Sequence, residues 1–164
     1  MYDFKIDAGD KAAMYDEMAA ALEALVAGEP DGIANMANAA ALIYETLPDL
    51  NWAGFYRNVA KEDGTSELVL GPFQGRAAYI RIPFGKGVCG AAAASLETQL
   101  VEDVHAFPGH IACDAASNSE VVVPILRDGE LLAVLDLDSP KIARFTREDA
   151  EGCERLAAIM ARAI

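Results

Sequence analysis

Two cysteines in this 164-residue chain lie in segments that could activate a thiol. Cys89 follows the run Gly85-Lys86-Gly87-Val88 at the start of a short predicted helix, where exposed N–H groups and the helix dipole lower a thiol pKa. Cys113 lies in a polar loop beside His110 and Asp114. A thiol with a pKa near 8.5 is only about 3 % ionised at pH 7, so a reactive cysteine needs such help. The loop alone fits both an inert and a reactive Cys113.

Three carboxylates are predicted to meet at one edge of a sheet. Glu120 begins one strand of a hairpin, whereas Asp136 and Asp138 end the other, and the two-residue period of a strand places their side chains on one face. Crowded carboxylates bind a cation or keep a proton through a raised pKa. The alternative is a solvated strand end, but Asp136 interrupts the apolar run from Leu131 to Leu137 and argues against it.

Two aromatic residues, Trp52 and Tyr56, are four apart in a predicted strand and so share a face. Core packing is the simplest explanation for them. A pocket that combines their rings with the acids would instead suit a small molecule with an apolar tail and an ammonium group.

The glycine run also matches a dinucleotide-binding fingerprint. The pattern Gly85-x-Gly87-x-x-Gly90 lies between a predicted strand and a helix, with Glu102 and Asp103 downstream. The flanking hairpins are antiparallel, however, and do not build the parallel unit that such a site requires. A tight turn that needs positive φ angles and leads to Cys89 fits better.

Metal binding is another alternative for the cysteines. Cys89, His105, His110 and Cys113 could form a zinc set, but they lack the C-x2-C pair of structural zinc sites. Cys153 lies on the apolar face of the last predicted helix and is expected to be a small buried hydrophobe.

The order of the predicted elements indicates one α+β domain over residues 1–164, an antiparallel sheet with terminal helices on one face and a long ligand-covering loop on the other. The second helix should bury Ile33, Met36, Ala40, Ile43 and Leu47. The last helix should begin with a capping box, Thr146 with Asp149. The predicted helices span residues 10–27, about 31–47 and 91–95, and a last helix begins at 146. The predicted strands are 51–59, 67–73, 78–84 and 98–104. Two further strands, 120–127 and 130–138, form a hairpin joined by Asp128-Gly129.

Composition narrows the possible partners. The chain has 13 basic and 26 acidic side chains and a formal charge of −13, which disfavours nucleic acid and anionic membrane surfaces. No apolar run reaches the length of a membrane span, and the N-terminus has no secretory signal pattern. A cytoplasmic protein with reduced cysteines is therefore expected.

Several motifs together resemble the free methionine-(R)-sulfoxide reductases, small enzymes with a GAF domain. The resemblance runs from about Asn51 to the C-terminal helix and is most specific in the cysteine loop. It is carried by Asn51-Trp52-Ala53-Gly54-Phe55-Tyr56, Leu70-Gly71-Pro72-Phe73-Gln74-Gly75, Arg81-Ile82-Pro83, Gly85-Lys86-Gly87-Val88-Cys89-Gly90, the loop from Gly109 to Glu120, and Leu135-Asp136-Leu137-Asp138-Ser139.

The resemblance implies a GAF-like fold and a thiol-dependent reduction of free L-methionine (R)-S-oxide. Cys113 would be the nucleophile and Cys89 a partner in disulfide formation. The acids Glu120, Asp136 and Asp138 would hold the substrate and help to protonate the sulfoxide oxygen, and Trp52 and Tyr56 would line the methylthio pocket. The resemblance implies no bound metal or cofactor, a disulfide reset by the thioredoxin and NADPH system, and a homodimer.

One position departs from the family pattern, which usually has a further cysteine ten residues before Cys89. This chain has Tyr79 there, and a tyrosine cannot resolve a sulfenic acid. Cys89 is therefore predicted to be the only resolving thiol, in a Cys113–Cys89 disulfide. The alternative function is a GAF sensory module that binds a small molecule without chemistry.

Overall fold

A computed structural model describes residues 6, 9–109 and 116–164, and the elements below are those of the described residues. The described residues form four α-helices, a short 3₁₀ helix and six strands. In order they are α1 Lys11–Val26, α2 Gly32–Thr46, β1 Trp52–Ala60, β2 Ser66–Gly75, β3 Arg81–Pro83, α3 Gly87–Ser95, β4 Gln99–Val101, the 3₁₀ helix Val104–Ala106, β5 Ser119–Arg127, β6 Glu130–Ser139 and α4 Arg147–Met160.

The strands form one antiparallel sheet in the order β3-β2-β1-β6-β5-β4. The predicted hairpin of β5 and β6 is confirmed, and its turn has positive φ at both Asp128 (52°) and Gly129 (82°), as a type I′ turn requires. Strands β1 and β6 lie at the centre of the sheet, so residues near their ends are covered by neighbours on both sides.

The two faces of the sheet carry different layers. One face, with Phe55 and Leu135 among its residues, packs against α1, α2 and α4 in the larger apolar core. The other face, with Tyr56 and Val134, packs against α3 in a second core. This arrangement confirms the predicted α+β fold, an antiparallel sheet with the terminal helices on one face.

Helix α4 begins with the predicted capping box, in which Thr146 and Asp149 bond reciprocally. Asp149 is buried and also accepts hydrogen bonds from Lys11 Nζ (2.7 Å) and Tyr15 Oη (3.0 Å) of α1. The two helices approach closely at Gly152, where an added Cβ would lie 2.3 Å from Tyr15 Cγ. The N-terminal helix is thus joined to the C-terminal helix by polar and by close apolar contacts.

Three local predictions were wrong. Ile33 is 49 % exposed, because it lies in the first turn of α2 beside the N-cap Asp31. The predicted strand 78–84 shortens to three residues and 98–104 to another three, because each lies at an edge of the sheet and pairs with only one neighbour. Within the described residues, no helix is long and apolar enough to cross a membrane.

Candidate active site at the sheet face opposite the terminal helices

The glycine run places Cys89 in the first turn of α3. Gly85 (φ 80°) and Gly87 (φ 62°) adopt the positive φ angles predicted for a tight turn. At Gly90 an added Cβ would lie 2.5 Å from the carbonyl oxygen of Pro83, so only glycine allows the helix to approach the end of β3. Helix α3 therefore begins against the sheet and directs the Cys89 side chain inward, where it is 4 % exposed.

Strand register brings the three carboxylates to one face. Glu120 lies opposite Asp138, and Asp136 lies opposite Val122, two residues further along β5. On the other side of β6, Asp138 pairs with Trp52 and Asp136 with Gly54. All three acids are buried, so they are not a solvated strand end.

Cys89 contacts two of these acids. Its Sγ donates a hydrogen bond to Asp136 Oδ2 at 3.2 Å and lies 4.0 Å from Glu120 Oε1. Cys89, Glu120 and Asp136 are all buried and each offers one possible metal-ligand atom. These three atoms lie within 4.8 Å of one another. One sulfur and two carboxylate oxygens could hold a metal ion. This set is not the zinc set considered for the sequence, which included His105. The Nε2 atom of His105 instead forms a hydrogen bond with Asn118 Oδ1 at 3.0 Å.

The predicted activation of Cys89 by the helix start is wrong. Burial, followed by the negative charges of Asp136, Glu120 and Asp138, raises the pKa of the Cys89 thiol well above its ordinary value. The helix dipole supplies about half a charge, and three neighbouring carboxylates at short range outweigh it. Cys89 is consequently a neutral thiol at pH 7.

Asp136 is also perturbed. Burial raises the pKa of Asp136 to about 6, and its interactions with Cys89 and Glu120 oppose this rise without cancelling it. Its Oδ1 is buried and has no hydrogen-bond partner among the described residues. A buried acceptor without a partner is costly, so this oxygen is suited to a donor on a bound molecule.

The aromatic rings form a stacked floor beside the acids. The ring centroids of Trp52 and Tyr56 lie 5.9 Å apart, and those of Trp52 and Phe73 lie 5.1 Å apart. Gly54 permits this stack, since a Cβ there would lie 2.3 Å from Phe73 Cβ. The face thus changes from apolar rings on β1 and β2 to carboxylates on β6 and β5.

The same aromatic side chains fix the segment between β2 and β3. Trp52 Nε1 donates to the carbonyl oxygen of Arg76 at 3.1 Å, and Tyr56 Oη donates to that of Tyr79 at 3.0 Å. The Tyr79 side chain is exposed, as is that of Ile80. The two rings therefore pack in the second core and also hold the backbone that borders the site.

The structure brings together six of the seven residues predicted for the site: Cys89, Glu120, Asp136, Asp138, Trp52 and Tyr56. Cys113, predicted as the nucleophile, and its neighbour His110 lie outside the described residues. Sequence reasoning missed Phe73 and Gly54. A glycine flanked at two residues on each side by aromatics in a strand was the available signal, because it indicates a close approach on that face.

Comparison with known proteins places the chain among related domains. The family profile described as "GAF domain" matches residues 34–164. The chain is 52 % identical over 149 residues to the free methionine-R-sulfoxide reductase of Escherichia coli K12, covering 91 % of this chain and 87 % of that protein. It is 45 % identical over 156 residues to the protein of the same name from Saccharomyces cerevisiae, covering 92 % of this chain and 86 % of the relative.

A solved structure gives the same correspondence in three dimensions. The free methionine-R-sulfoxide reductase of Neisseria meningitidis, solved in complex with its substrate, superposes with a TM-score of 0.92 at 46 % identity. The match covers 99 % of this chain and 95 % of that one.

Proposed function

The chain belongs to the GAF-domain family and, within it, to the free methionine-(R)-sulfoxide reductases, and we propose from this membership that it reduces free L-methionine (R)-S-oxide to L-methionine. The observation that carries the proposal is the buried Cys89 thiol among three carboxylates, beside an aromatic floor. A sensory module needs a pocket but has no need of a thiol at this position.

The site suits a small amino acid with an oxidised thioether. Glu120, Asp136 and Asp138 supply negative charge for the substrate ammonium group, and the unpartnered Asp136 Oδ1 is an acceptor for one of its hydrogens. The stacked rings of Trp52 and Tyr56 supply an apolar surface for the methylthio end. A free ammonium group is what distinguishes the amino acid from the same side chain within a polypeptide.

The first chemical step is assigned to Cys113. Its sulfur donates two electrons to the sulfoxide sulfur, the S–O bond of the substrate breaks, and the oxygen becomes part of a sulfenic acid on Cys113 while methionine leaves. The oxygen must be protonated as it leaves, which needs an acid that is partly neutral near pH 7. Asp136, with a pKa raised to about 6, is suited to this.

The second step is assigned to Cys89, which condenses with the sulfenic acid to form a Cys113–Cys89 disulfide and water. With Tyr79 at the position of the usual additional cysteine, Cys89 is the only resolving thiol in this proposal. Thioredoxin, kept reduced by NADPH, returns both cysteines to thiols, and no bound metal or cofactor takes part. A single domain over 1–164, a homodimer and a cytoplasmic location complete the proposal.

A coupled assay tests the reductase function. Consumption of NADPH is followed with thioredoxin, its reductase and free methionine-(R)-sulfoxide, in wild type and in Cys113→Ser. We expect turnover in wild type and none in Cys113→Ser. Cys153→Ser is the matched control, because Cys153 is buried in the core of the opposite face and should leave the rate unchanged. Substrate binding without NADPH consumption in wild type would instead support the sensory module.

A further inference from the structure

We propose that Asp136 is the general base that accepts the thiol proton of Cys89 when Cys89 attacks the sulfenic acid on Cys113. The inference rests on the proposed function, in which Cys89 is the resolving thiol. It gives Asp136 a role in the second half of the cycle, distinct from binding the substrate and protonating its oxygen in the first half.

Geometry selects Asp136 among the acids. The thiol of Cys89 already donates to Asp136 Oδ2 at 3.2 Å, whereas Glu120 Oε1 lies 4.0 Å from the same sulfur. Both partners are almost completely buried, at 4 % and 2 % exposed, so bulk water cannot act as the base. The proton therefore has a direct path from the sulfur to one carboxylate oxygen.

Electrostatics explain why Cys89 needs a base. Among the residues that the structure describes, the charged groups that act on Cys89 besides Asp136 are Glu120 from β5 and Asp138 from β6. The acids raise the pKa of Cys89, so α3 does not present a thiolate in advance. Since the attacking species must have thiolate character, deprotonation has to accompany the attack.

The step balances in atoms and electrons. The Cys89 S–H bond breaks, and its proton moves to Asp136 Oδ2. The electron pair left on Cys89 sulfur forms the S–S bond to Cys113 while the S–O bond of the sulfenic acid breaks. The departing hydroxide takes up the proton that Asp136 received and leaves as water, so Cys89 is oxidised and the Cys113 sulfenic acid is reduced. No further oxidant is required.

The test separates this step from substrate reduction. Stoichiometric hydrogen peroxide oxidises the Cys113 thiol to a sulfenic acid and releases water, which bypasses the substrate. Disulfide formation is then followed by acid quench and mass spectrometry, with dimedone trapping to count the sulfenic acid. In Asp136→Asn we expect the sulfenic acid to form and the disulfide to appear about 100-fold more slowly at pH 7, the size of effect that a lost general base produces.

The pH profile distinguishes a base from a structural role. In wild type the rate should change little with pH above neutrality, because the thiol proton passes directly to Asp136. In Asp136→Asn it should keep rising above pH 8, since only direct ionisation of Cys89 then supplies the thiolate. The wild-type rate should also be slower in D2O. Glu97→Gln, an exposed acid just beyond α3, is the control and should show the wild-type profile.

Two results would overturn the role of Asp136 while leaving the reductase intact. One is an Asp136→Asn variant, folded by circular dichroism, with the wild-type rate and profile. The other is an equal wild-type rate in H2O and D2O. By contrast, a wild-type protein that forms no Cys113–Cys89 disulfide with either peroxide or methionine-(R)-sulfoxide would overturn both this inference and the proposed function.

Discussion

The environment of Cys89 reverses the usual effect of a helix start on a cysteine. A thiol in the first turn of a helix is normally easier to ionise, but here burial and three carboxylates raise its pKa. Such a thiol is protected from unspecific oxidation, because the reactive form is the thiolate. It becomes reactive only when a base receives its proton, which suits a cysteine that must wait for a partner to be oxidised first.

The substitution Glu120→Gln should reduce kcat/KM for free methionine-(R)-sulfoxide by about 100-fold. The substitution keeps the shape of the side chain and removes a buried negative charge from the group proposed to hold the ammonium. Steady-state kinetics with the thioredoxin system measure the effect, and the melting temperature checks the fold.

The control for this variant is Glu130→Gln, an exposed acid at the solvent end of the same hairpin. It should leave kcat/KM unchanged. An unchanged rate in Glu120→Gln as well would show that the acid cluster has no part in substrate binding or catalysis.

Helices α1 and α4 pack in the larger core, on the face of the sheet opposite the site. Asp149 lies at their junction and accepts from Lys11, Tyr15 and the backbone of Thr146. Burial alone would raise the pKa of Asp149, but these donors and Arg144 outweigh burial and lower it. The ionised carboxylate therefore stabilises the fold.

Asp149→Asn should lower the free energy of unfolding by about 2 kcal/mol at pH 7, since it replaces hydrogen bonds to a charged group by weaker ones. Because the folded pKa is lowered, this stabilisation is present above the unfolded pKa of about 3.9 and is lost as pH falls below it. Urea unfolding from pH 7 to pH 3 should show the difference between wild type and variant shrinking with acid.

Glu151→Gln on the same helix is the comparison for that series. Its carboxylate pairs with Arg147 on the surface, where an ion pair contributes less than about 1 kcal/mol. A loss in Asp149→Asn no greater than the loss in Glu151→Gln, or a difference that grows with acid, would contradict the assignment of Asp149.

The sequence predicts the helices and strands well where hydrophobic periodicity and capping or turn residues act together. The four helices, the type I′ hairpin and the capping box of α4 follow from local chemistry and are confirmed. Edge strands β3 and β4 are shorter than predicted, because their length depends on a neighbour that the local pattern does not contain. The meeting of Glu120, Asp136 and Asp138 follows from the period of the strands, but the insertion of Cys89 among them depends on how α3 packs.

In the molecule as a whole, one face of the sheet carries the larger apolar core and the other face carries the candidate active site. The larger core and the Asp149 junction lie on one face, whereas the second core, the aromatic floor and the acids lie on the other. The site can thus hold buried, mutually repelling carboxylates while the opposite face supplies most of the apolar packing. The formal charge of −13 fits a partner that brings an ammonium group and not a phosphate backbone.

The most direct measurement of the central claim is a single turnover without reductant. Reduced protein is mixed with excess free methionine-(R)-sulfoxide, methionine is quantified, and the disulfide is mapped by mass spectrometry. Two electrons from two thiols reduce one sulfoxide, so we predict one methionine per chain together with a Cys89–Cys113 disulfide and a free Cys153. No methionine, or methionine accompanied by a disulfide to Cys153, would contradict the account.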